Sequence, residues 1–286
     1  MKSGWMIVAS LLFGLMGVFV KLGSQYFSSA ELVFYRSLIG LFVIFFIVRV
    51  QGLSLATNYW KMHVWRGLSG FFALLLFFYA ISALPLATAI TLNYTSPLFL
   101  ALLLVIFLRE RPHWILIVAI LLGFSGVTLL LRPSFHEAQL VAGLSGLASG
   151  FLAGVAYLNV RQLGQLNEPE WRIVFYFTLT CTIGAGIWML VHHFHAFTFK
   201  QGLILLGVGT TATLAQLAMT RAYRLGRTLV VASLAYTTPV FASLLGIIIW
   251  GEILSPMSWL AILIIIAGGV ISVHATPRLS EKSFRP

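Results

Sequence analysis

The sequence contains no aspartate, a single cysteine and few charged residues of any kind. Only 9% of its 286 residues are charged, compared with about 25% in soluble domains, and 60% are hydrophobic. Such a chain cannot cover a water-facing surface, so most of it must face lipid or other apolar helices. The lone Cys181 excludes a disulfide framework and a metal site of clustered thiolates. The sequence also lacks a Walker-type phosphate-binding loop, which argues against ATP-driven transport by this chain alone.

Long apolar runs dominate what is present. Ten of them approach the roughly 20 residues that a helix needs to cross the hydrocarbon core. They are residues 3–21, 31–49, 64–83, 86–108, 113–131, 139–161, 171–194, 200–222, 228–250 and 255–275. The first run has no cleavage region, which indicates a retained span instead of a signal peptide. The break at residues 83–85 is the least distinct, and without it there would be nine spans. The sequence predicts an all-α integral membrane protein with ten transmembrane helices.

The basic residues indicate orientation, because loops rich in Lys and Arg stay on the cytoplasmic side. With the N-terminus inside, 14 of the 18 basic residues fall on the inner side and 3 on the outer side, and Arg36 lies within the second span. The inner set is Lys2, Arg49, Lys61, Arg66, Arg109, Arg111, Arg161, Arg172, Arg221, Arg224, Arg227, Arg278, Lys282 and Arg285. The net charge of +11 is therefore a topology signal, and no nucleic-acid partner is expected. We expect a multi-pass protein of the bacterial inner membrane with both termini cytoplasmic.

The chain also repeats itself. Residues 92–110 match residues 234–252 at an offset of 142, with 9 of 19 positions identical, and residues 33–35 match 174–176 at an offset of 141. Such an offset spans five helices, and an odd number means that the second copy enters the bilayer upside down. The sequence predicts two inverted five-helix repeats, 3–131 and 139–275, followed by a cytoplasmic tail, 276–286.

The repeated segments also carry a resemblance to a known family. Its carriers are residues 9–17, 31–37 and 94–97, Glu110, and residues 236–239 with Glu252. In these, the chain resembles the EamA-type members of the drug/metabolite transporter superfamily over nearly its whole length. The resemblance implies ten helices, a central cavity between the two halves, and import, export or exchange of amino acids, other metabolites or drugs.

Arg36 is the most informative candidate for substrate binding. A charge at the bilayer centre costs roughly 2.5–3.5 kcal/mol, so an arginine inside a span needs a reason to be there. One interpretation is an anion-binding group for a substrate carboxylate or phosphate. The alternative is a helix-end arginine that bonds carbonyls or pairs with Glu31.

Other polar residues inside the spans complete the predicted site. The candidate substrate-binding residues are Arg36, Tyr79, Asn93, Tyr94, Tyr157, Asn159, Gln216 and Tyr236. Hydrogen bonding between helices, or an interfacial aromatic belt, would equally account for several of them. Pro97 and Pro239 predict helix kinks, because proline removes a backbone donor. A stripe of small residues, Gly146, Gly150 and Gly154, predicts close helix packing.

These features together predict a secondary transporter that works by alternating access. We expect a small-molecule substrate, most simply an amino acid or another carboxylate-bearing metabolite, with nucleoside-like or drug-like compounds as the alternative. No acid lies deep in a span, so the sequence favours a facilitator or an exchanger, or coupling through Tyr, His or the substrate charge.

His192, His193 and His195 are interpreted as a solvated loop, and no metal, no cofactor and no enzymatic constellation is expected. A non-transporting membrane subunit remains the alternative of another class. The lipid bilayer is the other partner, and a homodimer is left open.

Overall fold

The protein is described by a computed structural model. It describes residues 2–84, 86–110, 112–131, 140–190, 194–251 and 253–282. Over this part of the chain it contains twelve α-helices and no strand. They are α1 (Trp5–Gly23), α2 (Ser29–Val50), α3 (Trp60–Ala83), α4 (Leu86–Asn93), α5 (Ser96–Leu108), α6 (Trp114–Leu131), α7 (Leu140–Gln165), α8 (Glu170–Met189), α9 (Phe199–Leu225), α10 (Thr228–Ala235), α11 (Thr237–Trp250) and α12 (Pro256–Lys282). Some residues used in the sequence argument lie outside the described residues: Pro85, Arg111, His192, His193, Glu252 and residues 283–286.

These helices account for the ten predicted spans. In the described part of the chain, nine helical stretches are long and apolar enough to cross a membrane. The remaining predicted span, 64–83, lies in α3, whose 24 residues extend about 36 Å at 1.5 Å per residue. The predicted all-α membrane fold is confirmed.

Two of the spans are interrupted helices. The sequence predicted one helix over 86–108 and one over 228–250, but the first consists of α4 and α5 and the second of α10 and α11. Pro97 lies in the first turn of α5, and Pro239 occupies the corresponding place in α11. Proline has no N–H, so it cannot bond the carbonyl four residues earlier, and the helical ladder is broken there. The two breaks fall at Tyr94–Thr95 and at Tyr236.

The packing repeats when the two halves are exchanged. In this exchange α1 corresponds to α7, α2 to α8, α3 to α9, the α4–α5 pair to the α10–α11 pair, and α6 to α12. The contact of α3 with α7 has its counterpart in that of α9 with α1, and the contact of α5 with α7 in that of α11 with α1. The pairs α2 with α8 and α6 with α12 each correspond to themselves. The structure is therefore two five-helix repeats packed about a shared interface.

The glycine stripe of α7 lies against the break between α4 and α5. A Cβ atom at Gly150 would contact the Thr95 hydroxyl and would lie 2.7 Å from the Leu92 carbonyl oxygen. At Gly154 it would lie 3.2 Å from the backbone of α5. Gly146 faces Leu92 in the same way, at 2.9 Å. These glycines let α7 approach the interrupted helix closely enough to touch its backbone.

The two ends of the bundle are distinguished by α1. We call the end where α1 begins the N-terminal face. There the Arg227 backbone N–H donates a hydrogen bond to the Ser3 hydroxyl at 3.2 Å, so α10 begins at the same end. The opposite face carries the start of α2, where Glu31 forms a capping box with Ser28.

Candidate functional site

Two arginines lie inside the bundle, Arg36 on α2 and Arg66 on α3. The Arg66 residue is only 2% exposed, and its guanidinium carbon lies 4.1 Å from the centre of the Phe177 ring. The Nε and Nη1 atoms of Arg66 are buried and have no hydrogen-bond partner. Among the described residues, no carboxylate forms an ion pair with either arginine. We call Arg36 and Arg66 the arginine pair.

Both halves of the molecule contribute to the surroundings of the arginine pair. Tyr157 of α7 and Cys181 of α8 lie within electrostatic range of both guanidinium groups, and Arg36 lies within range of Arg66. A phenol and a thiol are neutral near physiological pH in their ordinary states, so neither compensates the two positive charges. Unpaired charges in a low-dielectric interior cost several kcal/mol each. On electrostatic grounds, two uncompensated positive charges favour a negatively charged ligand.

Four tyrosines, among them Tyr157, belong to one packed cluster, and we call them the tyrosine group. The rings of Tyr94 and Tyr236, at the two helix breaks, are 6.2 Å apart. The rings of Tyr157 and Tyr223 are stacked at 5.2 Å. The hydroxyls of Tyr223 and Tyr236 are buried without a partner. These flat surfaces and vacant hydroxyls suit a small organic molecule.

Further unpartnered polar atoms line α1 and α9. The Gln216 Nε2 atom, the Thr220 hydroxyl and the Ser10 hydroxyl are buried and have no hydrogen-bond partner. Buried polar groups are normally hydrogen-bonded, so each such atom needs an explanation. Their location on helices from both halves is consistent with a polar region at the interface of the repeats.

A pocket of about 820 Å³ opens at the N-terminal face. It is lined by Tyr223 and by the charged residues Glu110, Arg161, Arg224 and Arg227, among others. Tyr223 stacks on Tyr157, which neighbours the arginine pair. The volume falls within the 300–1,000 Å³ or so that is typical of small-molecule sites.

Known proteins share this architecture. The model of the EamA-like transporter family matches residues 2–132 and again residues 140–273. This chain belongs to the EamA-like transporter family. The predicted resemblance is confirmed, and the protein is a multi-pass membrane transporter.

Individual relatives match most of this chain. The pseudopaline exporter CntI of Pseudomonas aeruginosa is 32% identical over 287 residues, which cover 98% of this chain and 97% of the exporter. A riboflavin transporter of Rhizobium johnstonii is 28% identical over 222 residues, covering 77% of this chain and 73% of the relative. A solved crystal structure with 18% identity covers 97% of this chain and 98% of its own, with a TM-score of 0.85. This last likeness supports the fold alone.

The structure of this EamA-like transporter gathers some of the predicted site residues and separates others. Arg36, Tyr94, Tyr157, Gln216 and Tyr236 all lie along the interface of the two repeats. Their roles as substrate ligands stay predictions, as do those of the remaining candidates.

Three other predicted site residues have different surroundings. The Asn93 amide donates to the Ser149 hydroxyl at 3.1 Å and so links α4 to α7. The Asn159 amide donates to the Val155 carbonyl of its own helix at 3.0 Å, and two positions from Tyr157 it lies on a different side of α7. Tyr79 is 48% exposed on α3.

Sequence reasoning missed Arg66 as a site residue: it lies at the start of the predicted span 64–83, and the orientation argument counted it among the residues of the inner side. The structure places it inside α3, which begins at Trp60. A signal was present in the sequence. Ser69, Gly70 and Ala73 follow at the spacing of one helical face, and all are buried together with Arg66. The arginine therefore begins a face of small residues that packs inside the bundle.

Polar contacts also join the two repeats at both ends of the bundle. At the opposite face, Glu31 accepts a hydrogen bond from the His195 backbone N–H at 2.6 Å and contacts the ring Nδ1 at 2.9 Å. At the N-terminal face, Arg172 donates to the Ser54 carbonyl at 2.7 Å. We call these the opposite-face latch and the N-terminal-face latch. Each joins the start of a second helix in one repeat to a linker of the other repeat.

The N-terminal-face latch is reinforced by Glu168. Its carboxylate accepts from the Thr57 hydroxyl at 2.9 Å and from Arg172, and it lies 3.1 Å from His63 Nε2. Burial raises the pKa of Glu168, but the hydrogen bonds from Thr57, His63 and Arg172 lower it more, so its pKa is below the ordinary value. Among the described residues, no cluster of three potential metal ligands occurs.

Proposed function

We propose that this protein is a secondary transporter that moves a small carboxylate-bearing metabolite across the bacterial cytoplasmic membrane by alternating access. The observation that carries the proposal is Arg36, a cation inside the second span with no described acidic partner. Membrane interiors retain charges mainly where they act on a substrate or an ion. The inverted repeats supply two similar packings that can exchange roles, as alternating access requires.

Relatives support the metabolite class more than a particular substrate. One relative is named an exporter of pseudopaline and another a transporter of riboflavin. Small organic metabolites are common to both names. The stacked rings of Tyr157 and Tyr223 favour a second candidate, a planar nucleoside-like metabolite, since aromatic faces bind planar rings.

A flux assay in proteoliposomes tests the proposal. Uptake and efflux of a panel of amino acids, other carboxylates and nucleosides would be compared for the wild-type protein, Arg36→Gln and Arg36→Lys. We expect saturable flux of a carboxylate that Arg36→Gln reduces by about tenfold or more, because a hydrogen bond to a charged group contributes about 1.5–3 kcal/mol. Arg36→Lys should retain part of it.

Arg49→Gln is the matched control, since Arg49 is an exposed arginine on the same helix. Undiminished carboxylate flux in a folded Arg36→Gln protein contradicts the proposal. Saturable flux restricted to nucleosides favours the second candidate. Imposed pH and sodium gradients separate exchange or facilitated movement from ion-coupled accumulation.

The orientation belongs to the same proposal. The distribution of basic residues supports cytoplasmic termini, so the pocket at the N-terminal face would open to the cytoplasm. Reporter fusions at both ends test this. A phosphatase fused to either terminus that is active outside the cytoplasm contradicts it.

A further inference from the structure

The interior of the bundle holds two positive charges where one carboxylate would need only one. Arg36 and Arg66 lie within electrostatic range of each other, and the two groups near both of them, Tyr157 and Cys181, are neutral in their ordinary states near physiological pH. A ligand with a single negative charge would leave one of the two cations inside the bundle uncompensated. Such a charge costs several kcal/mol even after the protein relaxes around it.

The surroundings of Arg66 show which of its atoms lack a partner. The Phe177 ring covers the face of its guanidinium group at 4.1 Å, a cation–π contact that orients the plane. The Nε and Nη1 atoms are buried and have no hydrogen-bond partner. Their N–H groups carry part of the positive charge, so they are strong donors to the oxygens of an anionic group.

Gly70 makes room for this arrangement. A Cβ atom at Gly70 would contact Arg66 Nη1 and would lie 2.7 Å from Cε2 of Phe177. Any larger residue would therefore displace the guanidinium group or the ring. The glycine acts as a positioning residue, because its missing side chain leaves room for the guanidinium group beside the Phe177 ring.

We propose that the transported metabolite carries two anionic groups, one bound by Arg36 and the other by the unpartnered N–H groups of Arg66. This inference rests on the proposed transport function and specifies its substrate class as a dianion such as a dicarboxylate. Arg66 is then a specificity-determining residue. A monoanion or a zwitterion of the same size should bind more weakly, because it leaves Arg66 unpaired.

The binding test compares molecules that differ by one charge. The probes are malonate, succinate, glutarate and adipate, each with its monoamide, added at constant ionic strength to the protein in nanodiscs. The readout is the ligand-dependent rise in the midpoint of thermal unfolding, from which affinity follows. We expect at least one dicarboxylate to bind about tenfold more tightly than its monoamide, a factor that corresponds to about 1.4 kcal/mol.

Variants separate a binding role of Arg66 from a packing role. In Arg66→Gln the two members of each probe pair should bind equally, whereas Arg66→Lys keeps the charge, loses the planar fork and should retain part of the preference. Lys61→Gln, an exposed basic residue of the same helix, is the matched control and should behave as wild type. Gly70→Ala should weaken dicarboxylate binding without removing a charge.

Three results would overturn the inference. They are failure of every dicarboxylate to stabilise the protein, equal binding of the dicarboxylates and their monoamides, and a preference that Arg66→Gln leaves intact. The proposed function fails separately. Saturable carboxylate flux that Arg36→Gln abolishes and a folded Arg66→Gln protein retains refutes only the two-charge inference. Absence of any saturable flux refutes transport itself.

Discussion

At the scale of single residues, Tyr236 carries a hydroxyl that is fully buried and has no partner. Its neighbours are the Tyr94 ring and Gly123, where a Cβ atom would collide with the Tyr236 ring. A hydroxyl without a partner costs stability, since burial removes its bonds to water. Its presence is explained if the hydroxyl bonds the substrate.

This explanation predicts opposite effects of Tyr236→Phe on stability and transport. We expect the free energy of unfolding to be unchanged or about 1 kcal/mol higher, because no hydrogen bond is lost. The KM for substrate should rise about 2–10-fold, the loss of one hydrogen bond of about 0.5–1.5 kcal/mol. Thermal unfolding and proteoliposome flux measure the two quantities. Tyr176→Phe is the control, since its hydroxyl donates to the Leu55 carbonyl at 3.0 Å and its loss should reduce stability.

Gly150 allows close helix packing because it has no side chain. We expect Gly150→Ala to lower the free energy of unfolding by about 1–3 kcal/mol, because the added methyl group overpacks the contact with Leu92 and Thr95. Gly17→Ala is a matched control in α1, where a Cβ atom has nothing within 4 Å. That change should be neutral or stabilise by up to about 1 kcal/mol, the intrinsic helix preference of alanine. Equal unfolding midpoints for the two variants would contradict the packing argument.

At the scale of elements, the linkers between helices are fixed by ionic contacts. Glu168, between α7 and α8, is 4% exposed and bonds groups from the α2–α3 linker and from α3. Since its pKa is lowered in the folded protein, its stabilising contribution is complete above the ordinary pKa of a glutamate. The contribution is lost as the pH falls through the lowered folded value.

Glu168→Gln should therefore destabilise the protein in a pH-dependent way. At neutral pH we expect a loss of about 1.5–3 kcal/mol, the range for hydrogen bonds to charged groups. The difference between wild type and variant should shrink toward zero in acid, when the wild-type carboxylate is protonated. Unfolding midpoints across a pH series measure it. Glu110→Gln is the control, because its side chain is 42% exposed and its ion pair with Arg161 should contribute only about 0–1 kcal/mol.

At the scale of the whole molecule, the two latches are related by the internal repeat. The offset of 141 that relates residues 33–35 to 174–176 also relates Glu31 to Arg172 and Ser54 to His195. In one latch a carboxylate accepts from the linker backbone, and in the other a guanidinium group donates to it. Glu31 and Arg172 are therefore at equivalent positions of the two repeats. They form contacts at opposite faces of the bundle and carry opposite charges.

Alternating access, as proposed, predicts that the latches act in opposition. Leu205, 3% exposed near the opposite face, is replaced by cysteine and labelled with an impermeant maleimide. We expect Glu31→Gln to increase labelling several-fold, because it releases the opposite face, and Arg172→Gln to leave labelling unchanged or lower. A cysteine in place of Thr228, in the pocket wall, should show the reverse response. Changes in the same direction at both positions would contradict opposed latches.

Much of the fold follows from local patterns along the chain. Apolar runs of membrane length predicted the helices, and Pro97 and Pro239 predicted where two of them deviate from regular geometry. The structure adds that these spans are interrupted. A missing donor identifies the weak point of a helix, but whether the helix bends or breaks depends on its neighbours, here the glycine stripe of α7.

The site was less accessible to sequence reasoning. Arg66 follows Lys61 at the inner end of the predicted span 64–83, so it was counted as an orientation signal and not as a site residue. The bond between Glu31 and His195 joins residues 164 positions apart, beyond the reach of any local pattern. The scarcity of charge, the span count and the duplication were determined by the sequence by itself, because lipid imposes length and hydropathy on each helix separately. Which polar groups meet was decided only by the tertiary structure, since their burial and pairing depend on how the two repeats pack.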